Sequence, residues 1–422
     1  MQNREQNDNH WMVPFFIIWT GQAFSLLGSE LVQFALIWWM TKTTGSATVL
    51  ATASLFGLLP QVFIGPLAGT LVDRWNRRWV MMCADAIIAL ATGVIILLNV
   101  LGVLQPWHIY ALMFVRAAGS MFHWPAMQAS TSLMVPKEHL TRVAGINQTL
   151  NGIMGILAPS LGALLVEALP LYNVLAIDVG TAMLAVVPLF FVAVPQPPHS
   201  VGQKAEPSSV WGDLVAGMRY VWHWPGLCMV LAMAMLFNLF SNPSFSLLPL
   251  WVTGHFKGGA AEFGLLQSVM GAGLLIGGMV LSVWGGFRRK IVTMFVGMIG
   301  LGIGKLLIGL APESAFKMAL LGSFVVGFMV PMIDGSLFAM LQALVDPEMQ
   351  GRVFMLTLSL VKAAAPLGLA IAGPLADRFG IGLWFILAAA VCGIFALVGF
   401  VWPVILHLED GRLDVGHEPG QG

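Results

Sequence analysis

Charge is scarce in this chain: Asp, Glu, Lys and Arg make up 9% of 422 residues. A soluble globular domain carries about 25%, so water cannot be the main solvent here. The 20 basic and 20 acidic residues cancel. Net charge therefore points to no partner, and nucleic acid is not expected as one. Cysteine is nearly absent. Cys83, Cys228 and Cys392 fall within apolar stretches, where they read as small packing residues and not as a disulfide framework. The nine histidines show no ligand spacing, and no Walker loop, paired metal ligands or nucleophile elbow occurs. An ATPase and a membrane hydrolase are thereby disfavoured; no enzyme activity, metal or cofactor is expected.

What the chain has in abundance is apolar length. Hydrophobic residues reach 58%, and a spanning helix needs about 20 of them in succession. Twelve stretches qualify as spans 1 to 12: 14–40, 47–72, 79–102, 107–134, 143–168, 172–194, 226–253, 262–286, 291–311, 316–344, 353–376 and 383–406. Lipid offers backbone groups no partners, so all should be helical. Span 1 is long and lacks a small-residue cleavage site, so it reads as an anchored helix and not a signal peptide.

Positive charge fixes the expected orientation. With the N-terminus inside, thirteen basic residues are cytoplasmic: Arg4, Arg74, Arg77, Arg78, Lys137, Arg142, Lys204, Arg219, Arg288, Arg289, Lys290, Arg352 and Arg412. Four lie outside: Lys42, Lys257, Lys317 and Arg378. The positive-inside bias then places both termini in the cytoplasm.

The chain also repeats. Val135, Glu138, Arg142 and Val143 recur as Val345, Glu348, Arg352 and Val353, offset by 210; Arg77-Arg78 recurs as Arg289-Lys290, offset by 212. The expected organisation is an N-terminal six-helix half at 1–194, a linker at 195–225, a second six-helix half at 226–407 and a disordered cytoplasmic tail at 408–422. Prolines open the linker, and Val210 to Trp222 has the spacing of an amphipathic helix on the inner membrane surface. It reads as a lever coupling the halves or as a simple tether.

Between spans 2 and 3 the chain reads Gly65-Pro-Leu-Ala-Gly69-Thr-Leu-Val-Asp73-Arg74-Trp-Asn-Arg77-Arg78. Gly65 and Gly69 share one helix face, and a turn carrying one carboxylate and three guanidiniums suits a gate better than a passive linker. Here the sequence resembles the major facilitator superfamily, whose signature at this place is roughly Gly-x-Leu-Ala-Asp-Arg-x-Gly-Arg-Lys. Asn76 stands in for the second glycine, and Gly285 holds the place of Asp73 in the second copy.

Trp19-Thr-Gly-Gln22-Ala, Phe34-Ala-Leu-Ile-Trp38-Trp39, Thr44-Gly45-Ser46-Ala47, Arg116-x-x-Gly119 and Phe122-His123-x-Pro125-Ala126 are similar to the macrolide-efflux branch, in the third drug:proton antiporter group. Gly351-Arg352-Val353-Phe354 and Pro366-Leu-Gly368 continue the likeness. The resemblance covers about residues 11–405. It implies an all-α membrane protein of twelve transmembrane helices, in the bacterial inner membrane. It also implies alternating access and export of lipophilic compounds against inward proton flow. The expected partners are a lipophilic small molecule, protons and membrane lipid, and the fold needs no second subunit.

A charge at the bilayer centre costs roughly 2.5–3.5 kcal/mol on insertion scales, so each needs a reason. Away from span ends stand Glu30, Arg116, Asp334 and Lys362. The superfamily lines its central cavity with spans 1, 4, 7 and 10, which places Glu30, Arg116 and Asp334 there; Lys362 on span 11 borders it.

Glu30 is the first candidate to carry a proton, because desolvation disfavours a charged carboxylate. The alternative is a structural pair with Arg116 or Lys362. Arg116 matches the span 4 arginine that the superfamily associates with proton coupling, and otherwise forms a static bridge to Glu30 or Asp334. Asp334 follows Pro331, which can bend span 10; its alternative is pairing with Lys362. Lys362 either favours anionic substrates or neutralises Asp334. His123, seven residues beyond Arg116, can relay protons or simply pack.

Asp85, Asp178 and Lys305 lie on spans that the family treats as peripheral, and read as structural, Asp85 pairing with Arg77 and Arg78. On span 5, Gly155, Pro159 and Gly162 resemble the exporter signature and suggest a hinge on which the halves rock. Two other functions stay open: export of an endogenous metabolite such as a siderophore, and a transport-inactive scaffold.

Overall fold

Inside lipid, backbone N–H and C=O groups must bond within their own segment. The computed structural model of the protein, which describes residues 11–192, 194–196, 210–406 and 408–409, is accordingly helical throughout its regular elements. In chain order these are α1 (Met12–Thr44), α2 (Ala47–Phe63), α3 (Gly65–Arg74), α4 (Arg77–Val100), α5 (Pro106–Met134), α6 (Leu140–Ala168) and α7 (Leu171–Phe191). Then follow α8 (Val210–Trp222), α9 (Pro225–Ser246), α10 (Leu248–Gly254), α11 (Ala260–Trp284), α12 (Lys290–Gly309), α13 (Phe316–Leu344), α14 (Pro347–Phe379), α15 (Gly382–Val401) and α16 (Pro403–Leu406).

Among the described residues, ten helices are long and apolar enough to cross a membrane. The other two expected spans are the 29-residue α5 and the pair α2–α3. Span 2 is thus not one straight helix: it breaks at Ile64, because Pro60 inside α2 and Pro66 in the first turn of α3 have no N–H to donate.

The residues form two compact units, Met1–Ala205 with Gly258–Ser268, and Glu206–Lys257 with Val269–Gly422. In the first, glycine lets α1 and α7 touch: Gly21 faces the Leu184 backbone, and a Cβ at Gly28 would overlap Thr181 Oγ1. The start of α11 belongs to this unit. Phe263 stacks on Phe34 at 5.0 Å, and Ser268 Oγ donates to Ile156 O on α6 at 2.6 Å.

In the second unit the core centres on α12, with Phe295, Met298 and Leu301 buried against α9, α13, α14 and α15. Gly304 and Gly322 face each other across α12 and α13, so those backbones meet without intervening side chains, the packing that membrane helices favour. Helix α8 sits on α14: Gly217 abuts the Arg352 backbone, and Tyr220 Oη donates to Asp346 Oδ2 at 3.0 Å. The proline-rich part of the linker and the tail beyond residue 409 lie outside the described residues.

Candidate functional site

The first unit encloses a cavity of about 220 Å³ between α1, α4, α5 and α6. Gln22, Ser29 and Glu30 face it from α1, Asp85 from α4, His123 and Trp124 from α5, and Asn147 and Asn151 from α6. Residues spaced by three, four or seven share a helix face, so Gln22 and Ser29, and likewise Ser120, His123 and Met127, reach the cavity together. Trp19 Nε1 donates to Asn147 Oδ1 at 2.7 Å, tying α1 to α6. Glu30 is exposed to the cavity and makes no ion pair or hydrogen bond among the described residues, although it feels the charge of Arg116.

Arg116 does not pair with Glu30 or Asp334. Its Nη1 meets Asp178 Oδ2 at 2.5 Å, and the two side chains are 9% and 2% exposed. Thr92 Oγ1 donates to Asp178 Oδ2 at 3.3 Å, Ser29 Oγ donates to Asp178 Oδ1 at 3.2 Å, and Arg116 Nη2 donates to the Ser29 carbonyl at 3.1 Å. A buried ion pair is retained only when further hydrogen bonds satisfy its remaining atoms, and this one is so satisfied. Four helices, α1, α4, α5 and α7, are thereby pinned at one point. The family resemblance implied a peripheral Asp178; the close approach of α1 and α7 at Gly21 and Gly28 brings it under α1. Those two glycines, seven residues apart, were the available signal.

Asp85 is likewise not a partner of the arginine cluster. It is 7% exposed, accepts from Gln22 Nε2 at 3.4 Å, and stands 3.6 Å from His123 Nε2. Arg77 Nη1 instead donates to Ala129 O on α5 at 2.8 Å, and Arg78 Nη2 to Phe190 O in the last turn of α7 at 2.8 Å. Cations at helix C-termini complement the backbone dipole, so Arg78 caps a helix end. Arg74 is exposed. Gly65 has room around it, its nearest neighbour being Met121 Sδ. Gly69 and Asp73 lie on α3; their placement beyond the backbone falls outside the described residues.

Asn76 serves the motif as a cap. Its side chain accepts from Arg78 N at 3.1 Å and Trp79 N at 3.4 Å, opening α4. The second copy solves the same turn differently. Gly285 and Gly286 both have left-handed backbones, φ 74° and 78°, which glycine adopts freely and aspartate does not.

In the second unit Asp334 on α13 and Lys362 on α14 are exposed. Lys305 is buried on α12, donating to Ser241 O at 3.0 Å and Ser244 Oγ at 2.5 Å. On α6, Pro159 lies inside the helix, and a Cβ at Gly162 would come within 2.8 Å of the Phe34 ring. Gly264 packs on Pro159 and Ala163, so this small-residue face receives the start of α11. Cys83 is exposed and is not a packing residue; Cys392 is buried and Cys228 partly so. Among the described residues no group of three or more metal-binding side chains occurs.

Ten apolar helices of spanning length among the described residues define a multi-pass membrane protein. Comparison with known proteins places it further. Residues 12–410 match the family model described as Transmembrane secretion effector. The chain belongs to that family of the major facilitator superfamily. It is 35% identical over 390 residues to Macrolide efflux protein A of Streptococcus pyogenes, covering 92% of this chain and 96% of that one. It is 24% identical over 406 residues to the multidrug efflux pump Tap of Mycolicibacterium fortuitum, covering 94% and 97%. The crystal structure of the nucleoside transporter NupG superposes with a TM-score of 0.65 at 16% identity, over 90% of this chain and 98% of that one. That likeness concerns the fold. The related proteins are transporters, and this chain is a transporter of small molecules, not an enzyme.

Proposed function

We propose that the protein exports lipophilic small molecules of macrolide type from the cytoplasm in exchange for protons, by alternating access. The similarity to Macrolide efflux protein A along 92% of the chain carries the reading. Two six-helix halves, 1–194 and 226–407, flank the linker, both termini are cytoplasmic, and the protein works as a monomer.

Glu30 is the group that titrates. It is the one cavity carboxylate with no hydrogen-bond or ion-pair partner among the described residues, so it is available both to a proton and to a cationic substrate amine. The Arg116–Asp178 pair beside it holds a fixed, balanced charge and keeps α1 in register. His123 borders the same space. Asp334, exposed behind Pro331, and Lys362 are the candidates in the second half. The Asp73 turn with Arg74, Arg77 and Arg78 latches the cytoplasmic side together with Gly65 and Gly69, and α6 bends at Gly155, Pro159 and Gly162.

Proton movement in proteoliposomes on adding erythromycin tests this, comparing the native chain with Glu30→Gln. Drug-dependent flux lost in the variant supports antiport through Glu30. Flux that survives moves the role to Asp334, and no flux with any macrolide removes the antibiotic reading.

A further inference from the structure

His123 presents an unusual problem for a side chain only 19% exposed. Among the described residues its Nε2 is enclosed and has no hydrogen-bond partner, an arrangement that costs free energy. The polar atom facing it is Asp85 Oδ2, at 3.6 Å, just beyond bonding distance. That same oxygen accepts from Gln22 Nε2 at 3.4 Å. Two nitrogens from different helices, α5 and α1, thus converge on one carboxylate oxygen of α4, and neither bond is tight.

We propose that Asp85 and His123 form a proton-holding couple, a second carrier site in the cavity beside Glu30. It rests on the antiport reading given above and adds where a proton resides. The charged groups around the couple are few. Glu30 faces the cavity from α1, Asp178 lies within electrostatic reach from α7, and Arg116 stands two turns away on the helix of His123. Arg116 and Asp178 neutralise each other, and α6 presents no titratable side chain to the cavity. With neutral His123 the described lining of the cavity holds two carboxylates and no cation. One proton adding to the imidazole nitrogen makes an imidazolium against the Asp85 carboxylate and removes half of that excess. Only an N–H bond forms, and the proton returns to water when the cavity next opens.

The geometry also links the couple to the wall that carries Glu30. An imidazolium closing on Asp85 Oδ2 strengthens that contact and displaces Gln22, whose helix α1 bears Glu30 about two turns further along the cavity side. Protonation of the couple and release of a substrate from Glu30 therefore act on one helix.

The test uses the full chain in proteoliposomes, with erythromycin as the probe. Proton release per drug transported is followed across pH 5.5 to 8.5, and drug binding is measured without a gradient. His123→Gln and Asp85→Asn should lose at least fivefold in proton movement per erythromycin bound and lose the native pH profile, and Asp85→Glu should retain both. Because Asp85 is buried, Asp85→Asn can fail to fold; His123→Gln then decides alone. Coupled flux at the native level and with the native pH profile in His123→Gln overturns the couple while leaving antiport intact. Erythromycin transport by the native chain with no accompanying proton movement overturns the antiport reading, and the couple with it.

Discussion

Ser29 and Ser241 occupy equivalent places in the two halves, 212 residues apart, and each gives its backbone carbonyl to a buried cation. Arg116 Nη2 donates to Ser29 O at 3.1 Å, and Lys305 Nζ donates to Ser241 O at 3.0 Å. The offset is the one that relates Arg77 to Arg289. The first helix of each half is thus tied by a cation, but from a different neighbour: α5 in one, α12 in the other. The counter-groups differ too. Arg116 has the carboxylate of Asp178, while Lys305 has the hydroxyl of Ser244.

That difference predicts unequal responses to removing the charge. Arg116→Met strands Asp178, which is 2% exposed, and should cost about 3–5 kcal/mol. Lys305→Met leaves no carboxylate behind, since Ser244 Oγ already donates to Ser241 O at 2.8 Å. Its change should stay within about 1.5 kcal/mol, as for shape-conserving core replacements. Thermal unfolding of the purified variants in detergent measures both. Equal losses would show that Lys305 is held by more than these two oxygens.

How much of this was legible beforehand differs by scale. The helical class and the place of most spans could be read directly, because lipid forces long apolar helices. The partners of Arg116 and Asp85 could not. An ion pair between residues 62 apart depends on which helix faces meet. Here Gly28 decides it, and apolar periodicity is silent where a helix is apolar all round. The break at Ile64 was available in Pro60 and Pro66, but a long apolar run reads as one span.

Gly28 itself offers the second prediction. A Cβ there would overlap Thr181 Oγ1 and come within 3.2 Å of Asp178 Cα, so Gly28→Val must push α7 away and loosen the Arg116 network. Overpacking of this kind costs about 1–3 kcal/mol. Gly145→Ala on α6 is the control, since a Cβ there meets nothing within 4 Å. A melting temperature unchanged in Gly28→Val would show that α1 and α7 can separate freely.

The missing aspartate of the second copy gives a third. Gly285→Asp would restore the residue of the first copy at a backbone with φ 74°, where a side chain is strained. The substitution should lower stability by about 1 kcal/mol and gain nothing in transport. A gain in coupled flux would mean that sequence equivalence outweighs the turn.

The linker helix supplies the last. Two bonds of one side chain tie helix α8 to the N-cap of α14: Tyr220 Oη donates to Asp346 Oδ2 at 3.0 Å and accepts from Asp346 N at 3.3 Å. Its flank allows close approach because Gly217 carries no Cβ, which would stand 3.0 Å from Arg352 O. A hydrogen bond of this kind contributes about 0.5–1.5 kcal/mol. Tyr220→Phe should therefore weaken docking without unfolding the bundle, and Gly217→Val should do so more strongly. Hydrogen exchange over residues 210–222 reads the effect locally, with α12 as the internal standard because it is buried in the second core. If α8 is a lever, faster exchange there should accompany slower erythromycin flux. If it is a tether, exchange rises and flux stays at the native rate.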